Sequence, residues 1–230
     1  MKTIGMIGGM SWESSLEYYR IVNEGIKTRL GGLHSAKCLM YSVDFAEVEA
    51  LQHTGQWDAA GRMLVEAAEA LQKGGADFIV ICTNTMHISA DMVQAAVPLP
   101  LLHIADATAE RVQASGIRRI GLLGTRFTME KDFYKGRLTD KFGLEVSIPD
   151  APQREIIHRI IYEELVLGII RPESRQQSLE IMADMVAKGA EGIILGCTEI
   201  GLLVSQAESA VPLFDTTRIH AEAAVEWAIR

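Results

Sequence analysis

Two segments of this chain repeat each other, and that repeat restricts the fold more than any other feature. Gly75-Ala76-Asp77-Phe78-Ile79-Val80-Ile81-Cys82-Thr83 shares its pattern with Gly189-Ala190-Glu191-Gly192-Ile193-Ile194-Leu195-Gly196-Cys197. The same alignment carries Ala96-Val97-Pro98-Leu99 onto Ala210-Val211-Pro212-Leu213, and a nearly equal shift carries Thr3 to Gly9 onto Arg119 to Thr125. The chain is therefore two related halves in which Thr83 is the partner of Cys197. Two equivalent strand ends in two facing lobes can supply one chemical group to each face of a small substrate.

Within each half, apolar runs alternate with helical patterns. Thr3 to Ile7, Leu39 to Val43, Phe78 to Cys82, Ile120 to Leu123 and Gly192 to Leu195 read as strands buried on both faces. Ser14 to Leu30 reads as a helix with Leu16, Tyr19, Val22, Ile26 and Leu30 on one side and a capping box from Ser14 to Glu17. Asp58 to Lys73 and Glu173 to Lys188 are further helices, each stopped by glycine.

The expected fold is α/β: two pseudo-symmetric lobes, each a parallel sheet flanked by helices, with the active site in the interlobe cleft at the carboxyl ends of the strands. The first lobe is expected over residues 1–106 and the second over 107–214, with a last helix over 215–230 packing back on the first lobe.

Composition narrows the function classes. Of 230 residues, 48% are hydrophobic and 23% charged, which is ordinary for a globular protein and argues against disorder. A formal net charge of −8 with scattered lysine and arginine opposes nucleic-acid binding. No stretch is long and apolar enough for a membrane span and no signal segment is read, so a cytoplasmic address is expected. Three cysteines without CxxC spacing suggest neither a disulfide framework nor a zinc site, and the histidines show no metal-ligand spacing.

The polar residues at the strand ends are the candidates for chemistry. Thr83-Asn84-Thr85-Met86-His87 and Cys197-Thr198-Glu199 each stand where a buried strand should turn into a helix, where free backbone N–H groups can hold a carboxylate and favour a thiolate. Cys197 is the candidate activated thiol, against the reading of a lone cysteine as buried filler. Cys82 aligns with Gly196 and alternation turns it away from Thr83, so it reads as structural. Thr83, Asn84, Thr85 and Thr198 read either as an anion cradle or as helix caps. His87 could tune the site or be a satisfied surface histidine, and Glu199 could orient a substrate amine or cap a helix. Gly8-Gly9-Met10-Ser11 lacks the order of a nucleotide loop, and its glycines read as close approach of backbone to a small ligand or as turn geometry. Thr125 and Thr128 offer hydroxyls at the matching strand end, and Arg126 is either a carboxylate ligand or solvent-facing.

Gly196-Cys197-Thr198-Glu199, Thr83-Asn84-Thr85 and Gly8-Gly9-Met10-Ser11 resemble the aspartate/glutamate racemase family, and the likeness runs over essentially the whole chain. The family usually carries a first cysteine where this chain has Thr83, and the Gly8 to Ser11 opening looks like the aspartate branch. The resemblance implies an amino-acid racemase that needs no pyridoxal phosphate and no metal, works as a homodimer and moves a proton between two bases on opposite faces of the α-carbon. It implies Cys197 as base on the L-face with Thr83 as its counterpart, and L-aspartate or L-glutamate as the kinetically favoured substrate. By the same likeness Met10, Ser11, Gln52, Asn84, Thr85, Thr125, Thr128, Thr198 and Glu199 bind the substrate.

The chemistry of two bases follows from stereochemistry: a proton taken from one face must be returned to the other, and a single side chain reaches only one. A threonine hydroxyl is a far weaker acid than a thiol, so Thr83 suits donation or relay better than abstraction. Two other readings share the missing first cysteine or the two-lobed build: a single-cysteine decarboxylase or isomerase of small diacids, and a bilobed small-molecule binding protein.

Overall fold

The structure, a computed structural model, describes residues 1–230. It divides into two compact units, Met1–Ile104 with His220–Arg230, and Ala105–Ile219. The last helix, Thr216–Ile229, therefore has most of its length in the first unit.

The first unit runs β1 (Ile4–Gly8), α1 (Trp12–Leu30), β2 (Cys38–Ser42), α2 (Phe45–His53), α3 (Trp57–Lys73), β3 (Phe78–Ile81), a 3-10 turn over Thr85–Ser89, α4 (Ala90–Ala96) and β4 (Leu101–Leu102). Its four strands are all parallel in the order β2-β1-β3-β4. Ile79 and Ile81 enter one apolar cluster with Ile7, Val48 and Leu64, whereas Phe78, Val80 and Cys82 enter another with Tyr18, Val22 and Ala224. This period of two is what a central parallel strand buried on both faces requires. Each fully buried Leu, Ile or Phe contributes on the order of 1.5–3 kcal/mol.

The second unit repeats the plan: α5 (Ile104–Ala114) leads into β5 (Arg119–Gly124), α6 (Arg126–Glu130), α7 (Asp132–Gly136), β6 (Glu145–Ser147), α8 (Ala151–Glu163), α9 (Pro172–Ala187), β7 (Gly192–Gly196), α10 (Ile200–Leu203) and β8 (Leu213–Asp215), after which α11 (Thr216–Ile229) returns the chain to the first unit. Its strands are parallel in the order β6-β5-β7-β8, so β1, β2, β3 and β4 correspond to β5, β6, β7 and β8. At the carboxyl end Gly124 pairs with Gly196, and a Cβ on Gly124 would stand 2.7 Å from the Gly196 carbonyl oxygen. Only glycine lets the two strands close this tightly just before Thr125 and Cys197.

Three local expectations change. Helix α1 begins at Trp12, capped by the Ser11 side chain, which accepts from the Ser14 N–H; Ser14 is inside the helix. Its buried face is Ser14, Ser15, Tyr18, Val22 and Ile26, while Leu16, Tyr19 and Leu30 are exposed, so the expected single apolar stripe is two faces. The small serines set the orientation: Ser15 Oγ accepts from the Gly9 N–H at 2.8 Å and would lie 2.7 Å from a Cβ on Gly8, so bulkier residues are turned outward. Finally, β2 is an edge strand whose last three residues are exposed, not a strand buried on both faces.

Candidate active site

The end of β7 carries a thiol, a hydroxyl and a carboxylate in contact. Cys197 Sγ donates to Glu199 Oε2 at 3.1 Å, and Thr198 Oγ1 donates to the same oxygen at 2.6 Å. Helix α10 is only four residues long and Glu199 makes no side-chain cap bond to it, which removes the capping reading of that residue. Cys197 is 7% exposed, so it is desolvated yet still reachable.

Burial pushes the Cys197 thiol well above its ordinary range, and the neighbouring Glu199 carboxylate pushes it the same way by charge and by accepting its hydrogen. The backbone N–H groups of Glu199 and Ile200 oppose this without overcoming it. The expectation that the strand end alone would favour a thiolate is thus corrected: in the free protein Cys197 is a thiol hydrogen-bonded to a carboxylate. A thiolate formed there is a correspondingly stronger base.

At the adjacent end of β5, Thr125 caps α6 by accepting from the Thr128 N–H at 3.2 Å, and the two hydroxyls are 3.2 Å apart. Thr128 is fully buried and supports Thr125. Arg126 is exposed, with Glu155 at 3.7 Å, which favours its solvent-facing reading.

In the first unit the matching strand end holds Thr83, Asn84 and Thr85, all buried, with Thr83 8% exposed. A 3-10 turn follows β3 before α4 begins at Ala90. His87 fastens this turn: its Nε2 accepts from the Ile104 N–H at 3.2 Å, which leaves Nδ1 to donate to the Thr83 carbonyl oxygen at 2.7 Å. His87 is therefore a buried, neutral positioning residue, not a surface histidine. Its ring packs 4.6 Å from that of His103 and 5.7 Å from that of His220.

His220 in turn accepts from the Tyr18 hydroxyl at Nδ1 and donates from Nε2 to the Leu102 carbonyl oxygen, each at 2.8 Å. Burial lowers the His220 pKa to about 4, with the Leu102 carbonyl opposing the shift. No local pattern signals this network, because Tyr18, Leu102 and His220 are far apart in sequence.

The end of β1 lies beside that of β3, with Ile7 paired to Ile81. Met10 places its side chain in the apolar core, so its backbone is what remains for a ligand, and Ser11 is buried at the α1 cap. Gly9 has φ +89°, and a Cβ there would stand 2.2 Å from the Val43 carbonyl oxygen. Gly9 thus answers to the protein's own backbone and Gly8 to the Ser15 side chain, which supports the turn-geometry reading of these glycines. Gln52 is buried on α2. Cys82 is sealed in the core, where burial pushes its thiol far up, in keeping with a structural role. No group of three or more His, Cys, Asp or Glu side chains is disposed to hold a metal ion.

The family described as Asp/Glu/hydantoin racemase matches residues 7–224. The chain belongs to this racemase family. A solved structure of a candidate Asp/Glu racemase from Yersinia pestis is 56% identical with a TM-score of 0.93, covering 100% of both chains. An aspartate racemase homologue from Pyrococcus horikoshii OT3 is 36% identical with a TM-score of 0.86, again over 100% of both. Among curated proteins, the broad specificity amino-acid racemase RacX of Bacillus subtilis is 25% identical over 171 residues, 73% of this chain and 72% of that protein.

The chain is accordingly an amino-acid racemase, an isomerase with the two-unit α/β fold of its family. In this racemase the sequence candidates fall into two clusters, one at the strand ends of each unit: Met10, Ser11, Thr83, Asn84 and Thr85 in the first, Thr125, Thr128, Cys197, Thr198 and Glu199 in the second. The Glu199 to Cys197 contact and the His87 clasp are the features that sequence reading left open. The short spacing in Cys197-Thr198-Glu199 was the available signal for the first.

Proposed function

We propose that this racemase interconverts the enantiomers of aspartate or glutamate without pyridoxal phosphate or metal, with Cys197 as the base on the L-face and Thr83 as its counterpart on the other. The observation that carries the reading is the Cys197 Sγ contact with Glu199 Oε2 at 3.1 Å, which gives the thiol proton a destination. Glu199 takes that proton, and the thiolate left behind removes the α-proton of the L-substrate. Thr83 delivers a proton, relayed from water, to the opposite face. Oriented N–H groups and the hydroxyls of Ser11, Thr85, Thr125 and Thr198 hold the carboxylates and the charge that develops on them.

Raised by burial and by Glu199, Cys197 forms a thiolate reluctantly, but that thiolate is basic enough for a carbon acid. In the reverse direction Thr83 must act as the base, for which a hydroxyl is poorly suited, so at saturation L-substrates turn over faster than D-substrates, with a compensating difference in KM that keeps kcat/KM equal for the two. The difference resides in rates only, because a catalyst leaves the equilibrium between enantiomers unchanged. The family likeness further supports a homodimer in a cytoplasmic setting with no nucleic-acid or membrane partner. No helix is long and apolar enough to cross a membrane.

The test is α-hydrogen exchange. L-Aspartate or L-glutamate incubated with the protein in deuterated water gains α-deuterium and yields the D-enantiomer, and Cys197→Ala loses both. Native exchange rates in Cys197→Ala would remove Cys197 from the reaction. Release of carbon dioxide from a disubstituted malonate, without exchange into either amino acid, would replace the proposed reaction.

A further inference from the structure

Tyr18 and His220 are fully buried polar groups to which the reaction gives no part, yet a line of contacts runs from them to Thr83. The Tyr18 hydroxyl donates to His220 Nδ1, and His220 Nε2 donates to the Leu102 carbonyl oxygen, each at 2.8 Å. Two residues further along, the Ile104 N–H donates to His87 Nε2 at 3.2 Å, and His87 Nδ1 donates to the Thr83 carbonyl oxygen at 2.7 Å. Every residue of this line lies in the first unit. We propose that Tyr18 and His220 are positioning residues for Thr83, holding through Leu102–Ile104 and His87 the place from which its hydroxyl serves one face of the substrate. Which face that is rests on the function proposed for Cys197 and Thr83.

Thr83 does not hold its own hydroxyl in place. The hydroxyl makes no hydrogen bond within the protein, and the residue is held by its backbone alone. Its N–H donates to the Ile81 carbonyl oxygen at 2.9 Å, and its carbonyl oxygen accepts from His87. A β-branched side chain is stiff about χ1, so fixing the backbone leaves the hydroxyl few places to go.

His87 in turn depends on what stands behind it. Both histidines bond the same short segment, His220 at Leu102 and His87 at Ile104. The residue between, His103, packs its ring 4.6 Å from that of His87, and the His220 ring lies 5.7 Å from it. A shift of His220 therefore reaches His87 through the segment and through the rings. Each of the two bonded histidines has one nitrogen donating and the other accepting, and every donor in the line points toward Thr83, an arrangement in which hydrogen bonds reinforce one another.

The second unit is built differently at the corresponding positions. The offset that pairs Thr83 with Cys197 puts Gly201 opposite His87 and Thr217 opposite His103. Cys197 has a side-chain bond of its own, to Glu199 at 3.1 Å, and no histidine stands at these positions. The histidines support the one strand-end group whose side chain has no such bond.

The experiment compares racemisation of the L-substrate with its α-deuterium exchange in deuterated water. His220→Phe, which keeps a ring and removes both bonds, is expected to lower racemisation about tenfold while L-side exchange stays within about twofold. Ile26→Val, in the same apolar cluster as Tyr18, should leave the ratio of the two rates unchanged. Equal loss of exchange and racemisation in His220→Phe, or loss of neither, overturns the proposal. Should that variant fail to fold, Tyr18→Phe, which removes a single hydroxyl, decides by the same ratio with an expected change of about threefold.

Histidine NMR separates the line of contacts from the reaction. The native protein should show His87 protonated at Nδ1 and His220 at Nε2, and His220→Phe or Tyr18→Phe should shift the His87 Nδ1 proton together with the Thr83 amide. If the native protein turns over neither acid, the proposed function fails and these signals alone judge the positioning role. Signals that the substitutions leave in place overturn it.

Discussion

The two units share one strand order and finish their equivalent strands with different chemistry. At the end of β7 a thiol lies against a carboxylate, Cys197 and Glu199, 3.1 Å apart. At the end of β3 the partner position is a hydroxyl, Thr83, whose backbone is fastened by a buried neutral histidine. One end sets an acidic proton against an acceptor, and the other holds a far less acidic hydroxyl on a fastened backbone. A duplicated scaffold thus supplies equivalent locations whose side chains differ in acidity, and under the proposed function that difference makes the two faces of the reaction unequal.

The comparison breaks most visibly at Cys197. Cys197→Ala is expected to lower racemisation of the L-substrate by at least about 10²–10⁴-fold, measured by enantiomer-resolving chromatography. Thr83→Val should lower racemisation by about 10²-fold or more while retaining α-deuterium exchange from the L-side, because the base is intact and only delivery to the far face is lost. Equal loss of exchange and racemisation in Thr83→Val would contradict the division of labour.

Acid should act on the first unit through His220. His220 in the first unit has its pKa lowered to about 4 by burial, whereas a histidine in an unfolded chain titrates near 6.5. Below about pH 6.5 the unfolded chain takes up a proton that the folded one refuses, so stability present above that pH is lost progressively as pH falls toward 4. The full difference corresponds to about 3 kcal/mol. His220→Gln, compared with the native protein by denaturant unfolding, should show a shallower loss over that window. An unchanged acid limb would mean that burial does not keep His220 neutral.

The smallest effect sharpens the thiol end. Removing the carboxylate charge in Glu199→Gln takes away one of the causes that raise the Cys197 pKa, so the thiol should alkylate at lower pH than in the native protein. Its kcat should fall about tenfold, because the thiolate is a weaker base and its proton has lost an acceptor. A Cys197 alkylation profile unmoved by the substitution would separate Glu199 from the thiol.

Much of the fold was legible in the repeat. Aligning Gly75 on Gly189 predicted equivalent strands, and β3 and β7 occupy matching places in sheets of matching order. Alternation along β3 also assigned Cys82 to the side opposite Thr83, and Cys82 lies in the core cluster with Phe78 and Val80. Helix α1 was misread because periodicity counts apolar residues without weighing how closely a backbone can approach. Ser14 and Ser15 permit the tight contact with Gly8 and Gly9, and that contact turned Leu16 and Tyr19 to the surface. The thiol was misjudged because the backbone N–H groups of a strand end were weighed without the desolvation and the adjacent carboxylate that outweigh them.

By itself the amino-acid order determined the duplication, the α/β alternation and the residue types at the strand ends, since these depend on periodicity and on local chemistry carried by neighbours in the chain. Tertiary structure decided the proton's partner at Cys197, the clasp that His87 places on Thr83, the neutral state of His220 and the exposed face of α1. Each of these depends on burial and on groups brought together from distant positions, and both arise only when the chain is packed.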